Sequence, residues 1–267
     1  MSSFIDINGT GLAYEVIGEG KEAIFFLNGV AMTMAHWKPL LPGLTSNSRF
    51  VLHDFRGQLM SEKPREEYSL AGHAEDLCAL MDELGISHAH LVGTSYGSEV
   101  AMEFAILYPH KVDSLVLIDG VSELDPVLKS AVESWQLTAE ADPRLFYRTI
   151  IPWNYSPGYL EENLGKLRER EESISKLPQE YFDGFCRLCD SFLKIDLTER
   201  LKEIMAPALV LVGEKDILKH RGFSEIINSA IPQSWMEIIP DAGHAVVIEQ
   251  PEVVAKRINR FMEVISS

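Results

Sequence analysis

Three residues of this chain have the types and the order to cut a carbonyl compound: Ser95, Asp216 and His244. A serine hydroxyl is a weak nucleophile at neutral pH. It needs a base to take its proton and an acid to orient that base. Ser95 sits in Gly93-Thr94-Ser95-Tyr96-Gly97, a Gly-x-Ser-x-Gly stretch. The apolar run His90-Leu91-Val92 before it reads as a short buried strand. After it, Val100, Ala101, Phe104, Ala105 and Tyr108 recur at helical spacing. A sharp strand-to-helix turn lifts the serine clear of the backbone and favours glycine on both sides. The first helical N–H, on Tyr96, is then placed to donate to an oxyanion.

Asp216 and His244 each follow a late apolar strand, Ala208–Val212 and Trp235–Ile239. His244 would take the Ser95 proton and return it to the leaving group. Asp216 would hold the imidazole in one tautomer and stabilise its cation. Asp119 also ends a strand, Val112–Ile118, and is an alternative orienting acid, although a turn or hinge role suits it better. The second oxyanion donor is expected from the loop after Ala23–Leu27, with Val30 N–H paired to Tyr96 N–H. Asn28, Gly29, Trp37, Trp135, Phe146 and Trp153 are the candidate substrate contacts. His36 lies near the same loop and reads as packing beside Trp37.

The elements that must position these residues alternate. Phe4–Ile7 and Leu12–Ile17 flank Asn8-Gly9-Thr10-Gly11, which is hairpin turn chemistry. Ala23–Leu27, Arg49–His53, Ala89–Gly93 and Val112–Ile118 follow as strands, with helices at 69–84 and after Ser95. Any helix at 37–44 is short, because Pro39 and Pro42 interrupt it. Strand–helix alternation implies a mostly parallel sheet, and sites in such sheets form beyond the strand C-termini. The rhythm breaks at 122–196, where helical patches Pro126–Glu140, Pro143–Ile150, Pro157–Ser175 and Pro178–Leu193 each carry a proline at the expected start. This reads as an inserted helical cap on a core of residues 1–121 and 197–267. The cap is rich in aromatics, of which some should face the site. The terminal helix is Pro251–Ile265.

The chain has 267 residues and a formal net charge of −16. That charge repels phosphate backbones, so nucleic acid is not expected as a partner. It also makes an anionic substrate a less natural choice unless the pocket is locally basic. No basic start followed by an apolar stretch and no long apolar run occurs, so the expected home is the cytoplasm, with no membrane contact. Cys186-x-x-Cys189 lacks the second ligand pair of a zinc site, and Cys78 stands alone, so all three thiols read as structural. No metal and no cofactor are expected.

Together these residues resemble the α/β-hydrolase fold superfamily. The landmarks are Leu27-Asn28-Gly29-Val30, Asp54-Phe55-Arg56-Gly57, Gly93–Gly97, Gly213-Glu214-Lys215-Asp216, and Gly243-His244 followed by Glu249-x-Pro251. The general look is similar to small bacterial carboxylesterases and enzymes of the 3-oxoadipate enol-lactonase type. The family usually has His-Gly where this chain has Asn28-Gly29; an amide there can hydrogen-bond but cannot titrate. Leu59 stands where a second glycine is frequent, which should alter packing beside the pocket. The resemblance implies an eight-stranded, mostly parallel sheet with a helical cap, and cofactor-free hydrolysis of a small ester, lactone or thioester by a monomer or homodimer. It leaves open C–C bond hydrolysis, perhydrolysis or acyl transfer with the same triad, and a slowly turning-over ligand receptor. Arg144, Arg148 and Lys129 are candidates for binding a substrate carboxylate, with solvation as the simpler role.

Overall fold

The computed structural model describes residues 2–45 and 47–266. Eight strands form one sheet: β1 Ser3–Ile7, β2 Thr10–Ile17, β3 Ala23–Leu27, β4 Arg49–His53, β5 Ala89–Thr94, β6 Val112–Ile118, β7 Ala208–Gly213 and β8 Ser234–Ile239, in spatial order β1-β2-β4-β3-β5-β6-β7-β8. The hairpin β1–β2 and the β2–β4 pair are antiparallel, and every other pairing is parallel. The parallel strands are buried on both faces, which is why Ala23–Leu27 and Ala208–Gly213 are continuous apolar runs rather than alternating ones. Their side chains divide between two cores. Phe25, Leu27, Leu91 and Val210 belong to one, and Ile24, Phe26, Val92 and Leu211 to the other.

Helices α1 Leu70–Glu83 and α2 Tyr96–Leu107 cover the first core. Between β6 and β7 the chain forms four helices: α3 Pro126–Ala141, α4 Pro143–Asn154, α5 Pro157–Ile174 and α6 Gln179–Phe192. Their starts follow from local chemistry. Asp125, Asp142 and Ser156 each accept a hydrogen bond from the backbone N–H of the third residue onward, ahead of Pro126, Pro143 and Pro157. Each such cap is worth about 1 kcal/mol. The last of the four differs slightly from expectation, since Pro178 occupies the cap position and the helix begins at Gln179. After β7 come α7 Arg221–Ala230, the short α8 Val246–Glu249 and α9 Pro251–Ile265. Val254, Ala255, Ile258 and Phe261 of α9 cover the second core. The 34–43 region holds two 3₁₀ turns, Met34–Trp37 and Leu41–Gly43, in keeping with its prolines. Among the described residues no helix is long and apolar enough to cross a membrane.

Candidate active site

Ser95 caps α2 with φ 52° and ψ −121°. A non-glycine residue in that region stores on the order of 1–3 kcal/mol of strain, which the surroundings must hold. Ser95 N–H donates to Ile118 O at 2.8 Å, and Ser98 Oγ, fully buried, bonds Gly93 O at 2.8 Å and both the N–H and C=O of Ile118 at 3.0 Å. The turn is therefore riveted to β5 and β6. The flanking glycines are steric necessities. A Cβ on Gly93 would lie 2.3 Å from Gly97 O, and one on Gly97 would lie 2.0 Å from Leu27 O.

The structure brings Ser95, His244 and Asp216 together. His244 Nε2 lies 3.0 Å from Ser95 Oγ, and His244 Nδ1 lies 2.7 Å from Asp216 Oδ2. With Nδ1–H donated to the carboxylate, Nε2 is left as the acceptor for the serine proton. Asp216 is 5 % exposed. Burial opposes its charge, but the His244 charge and hydrogen bond, with the N–H groups of Lys219 and Leu218, outweigh it and hold its pKa below the ordinary carboxylate value. The His244 loop is fastened from two sides. Glu249 accepts from Gly243 N–H, Ser156 N–H and Ser156 Oγ, and Ala245 N–H donates to Asn154 O at 2.7 Å. The end of α4 and start of α5 thus share an anchor with the base.

Asp119 behaves differently from Asp216. It is fully buried, and its Oδ1 accepts from Gly213 N–H at 2.9 Å, across the β6–β7 pair. Burial, and then the charge of Asp216, push its pKa well above the ordinary value. It braces the strand ends, and His244 bonds Asp216 instead.

The loop after β3 approaches the serine: a Cβ added to Gly29 would stand 3.4 Å from Ser95 Cβ. Neither Val30 N–H nor Tyr96 N–H donates to a partner among the described residues. Two of the expected substrate contacts turn out to build this loop rather than line the cavity. Asn28 is fully buried; its Nδ2 reaches His53 O, Asp54 Oδ1 and Gln58 Oε1 at 2.9–3.0 Å, and its Oδ1 accepts from Trp37 Nε1 at 2.8 Å. Gln58 Nε2 in turn donates to Gly29 O at 2.8 Å. Trp37 is wholly buried because its ring packs on Phe26 in the second core. Trp153 is also absent from the cavity wall; it packs, partly buried, against the first core.

A cavity of about 230 Å³ opens over Ser95, between the strand ends and α3–α6. Gly29, Val30, Tyr96, Trp135 and Phe146 line it, and Leu59 fills part of the wall. Tyr147 and Tyr155, two of the aromatics of the inserted helices from which some were expected at the site, line it too, and so do His36, Arg170, Tyr181 and Lys219, for which the sequence carries no such signal. His36 does not simply pack on Trp37. Its Nδ1 accepts from Thr33 N–H at 3.1 Å, and burial, then the charge of Arg170, lower its pKa to about 4. It is neutral near pH 7 and its proton sits on Nε2. Lys219 Nζ bonds both Glu99 carboxylate oxygens at 3.0 Å and lies 4.4 Å from the Phe192 ring centre. Most of the remaining wall is apolar, which suits a carbon chain next to the reacting carbonyl. The three cysteines are unpaired; burial pushes the Cys186 thiol up to about 12 and Cys189 well above its ordinary value, so neither is a thiolate.

The chain resembles known proteins over nearly its whole length. A relative from Caulobacter sp. (strain K31), provisionally named carbamate hydrolase RutD, is 26 % identical over 258 residues, covering 94 % of this chain and 96 % of its own. The 3-oxoadipate enol-lactonase 1 of Acinetobacter baylyi is 26 % identical over 261 residues, covering 96 % and 94 %. The crystal structure of MGS-M2, an alpha/beta hydrolase enzyme from a Medee basin deep-sea metagenome library, superposes with a TM-score of 0.93 at 26 % identity, covering 98 % of this chain and 97 % of that one. Residues 22–251 match the family model of the alpha/beta hydrolase fold, and the chain belongs to that family.

Proposed function

We propose that the protein is a cofactor-free serine hydrolase that cleaves a small carboxylic ester, lactone or thioester through an acyl-enzyme on Ser95. The observation that carries this reading is the unbroken relay from Ser95 Oγ to His244 to Asp216, at 3.0 and 2.7 Å, opening into a mainly apolar cavity. In the first half-reaction His244 Nε2 takes the Ser95 proton as Oγ adds to the substrate carbonyl. The oxyanion accepts from the N–H groups of Val30 and Tyr96, two donors held in place before the substrate arrives. The tetrahedral adduct collapses, the C–O or C–S bond breaks, and His244 gives its proton to the leaving oxygen or sulfur. In the second half-reaction water adds to the acyl-enzyme, His244 takes the water proton, and Ser95 leaves with it as the free acid forms. Helices α3–α6 act as the cap that shapes the acyl site.

The test is hydrolysis of a p-nitrophenyl ester series, acetate to octanoate, by wild type and Ser95→Ala in parallel. Loss of activity by at least ~10³-fold in the variant is expected, and the chain-length optimum sizes the acyl site. Full activity in Ser95→Ala would overturn the reading.

A further inference from the structure

The cavity wall contradicts the charge of the chain around it. The sequence carries 40 acidic residues against 24 lysines and arginines, yet no aspartate or glutamate is among the described residues that line the cavity, whereas Arg170 and Lys219 are. Lys219 is already ion-paired with Glu99. Arg170 is not. Among the described residues it makes no ion pair and one hydrogen bond, from Nη1 to Tyr155 Oη at 2.8 Å. The neighbouring acids do not serve it: Glu171 and Glu172 are taken by Arg148 and Arg144. A guanidinium has five N–H donors in a planar fork, so most of this one is free to bind something else.

Other unspent donors surround it. Tyr147 is 4 % exposed, and its hydroxyl is buried without a hydrogen-bond partner. Leaving such a group unpaired costs on the order of 1–3 kcal/mol, a cost that a bound acceptor would remove. Tyr155 accepts from Arg170, so its own O–H remains to donate. His36 presents Nε2–H on the same wall. Burial raises the Tyr147 and Tyr155 phenols, and the Arg170 charge acts against that rise in both, as it also acts on His36. All three groups therefore lie within the field of one cation.

We propose that this side of the cavity is a carboxylate subsite, in which Arg170 with the hydroxyls of Tyr147 and Tyr155 binds an anionic end of the substrate while its ester or lactone carbonyl lies at Ser95. The substrate class is then a half-ester of a dicarboxylic acid, or a lactone bearing a free carboxylate. This rests on the hydrolase reading for the reacting end only.

The experiment compares p-nitrophenyl hydrogen glutarate with p-nitrophenyl pentanoate, which have acyl chains of equal length. The ratio of their kcat/KM values is measured in wild type, Arg170→Gln, Arg170→Lys and Tyr147→Phe. The expected result is a fall of about 10-fold or more in the ratio for Arg170→Gln, with partial retention in Arg170→Lys and a smaller fall in Tyr147→Phe. An unchanged ratio in Arg170→Gln would overturn the subsite. A second arm needs no turnover: thermal shifts of Ser95→Ala, with and without Arg170→Gln, in monoethyl glutarate and in diethyl glutarate. Stabilisation by the monoester alone, lost with Arg170, supports the subsite even if wild type hydrolyses neither ester, in which case the hydrolase reading is what fails. Equal response to both esters, beside Ser95-dependent hydrolysis, would sink the subsite and leave the hydrolase reading standing.

Discussion

The indole Nε1 of Trp37 donates to the side-chain oxygen of Asn28 over 2.8 Å, entirely inside the protein. That bond joins a core aromatic to the residue that precedes Gly29-Val30, so the loop carrying one proposed oxyanion donor is set by the core. Replacing Asn28 by Ala removes the acceptor for Trp37 and the donor shared by His53 O, Asp54 and Gln58. The expected outcome is a fall in kcat of about 10²-fold, the scale of a lost oxyanion donor, with KM little changed. A rise in KM at constant kcat would mean that Asn28 touches substrate after all. Steady-state kinetics on one good ester decide the matter.

Asp119 and Asp216 end adjacent strands, and only Asp216 meets His244. Asp216→Asn is expected to lower kcat by about 10⁴-fold through the wrong imidazole tautomer. Asp119→Asn keeps an acceptor for Gly213 N–H and leaves the Asp216–His244 bond in place, so it should retain activity within about 3-fold. The reverse pattern in the same kinetic assay would make Asp119 the orienting acid.

Glu99, in the first turn of α2, and Lys219 form a buried ion pair beside the site, at 0 % and 3 % side-chain exposure. Removing one partner strands the other. Lys219→Met is expected to cost about 3–5 kcal/mol in urea unfolding. The double variant Glu99→Gln with Lys219→Met keeps an acceptor for Val121 N–H, a 2.8 Å bond, and should recover much of that loss. A double variant as unstable as the single one would show that the pair contributes something other than mutual neutralisation.

Burial lowers the pKa of His53 to about 4, and burial followed by the charge of Arg56 lowers that of His73 to about 3. Both start from an ordinary value of 6.5, so the folded state keeps neutral imidazoles that the unfolded chain protonates. The stability they hold is present above pH 6.5 and is lost as pH falls toward 4 and 3. At pH 5 each should have lost about 2 kcal/mol. His73 has no hydrogen-bond partner on either ring nitrogen and is ringed by Phe55, Tyr68 and Tyr96, so His73→Phe is tolerable there. Its urea-unfolding free energy should gain about 2 kcal/mol on wild type between pH 7.5 and pH 5. Parallel curves at the two pH values would contradict this assignment.

The parts of the site that are local in the chain are legible in the sequence alone. Strand, turn and helix around Ser95 are coded by residues within a few positions of one another, and the proline-marked helix starts at 126, 143 and 157 follow from capping chemistry. Side-chain direction was not legible. Asn28 and Trp37 lie beside the oxyanion loop in the chain, but the packing of Phe26 against Trp37 turns both inward. Among the arginines of the inserted helices, Arg144 and Arg148 are absorbed by acids of α5, while Arg170, on α5 itself, reaches the cavity. Which of these cations is spent depends on how α4 packs on α5, and no spacing within one helix encodes that.

Ser95 Oγ is the proposed nucleophile, and covalent trapping probes it without depending on the choice of ester. Wild type would be treated with diethyl p-nitrophenyl phosphate, which transfers its phosphoryl group to an activated serine and releases p-nitrophenolate. One adduct per chain is expected, mapped by peptide mass spectrometry to Ser95, with labelling abolished in Ser95→Ala and greatly slowed in His244→Gln. An adduct on another residue, or labelling of Ser95→Ala at the wild-type rate, would contradict it.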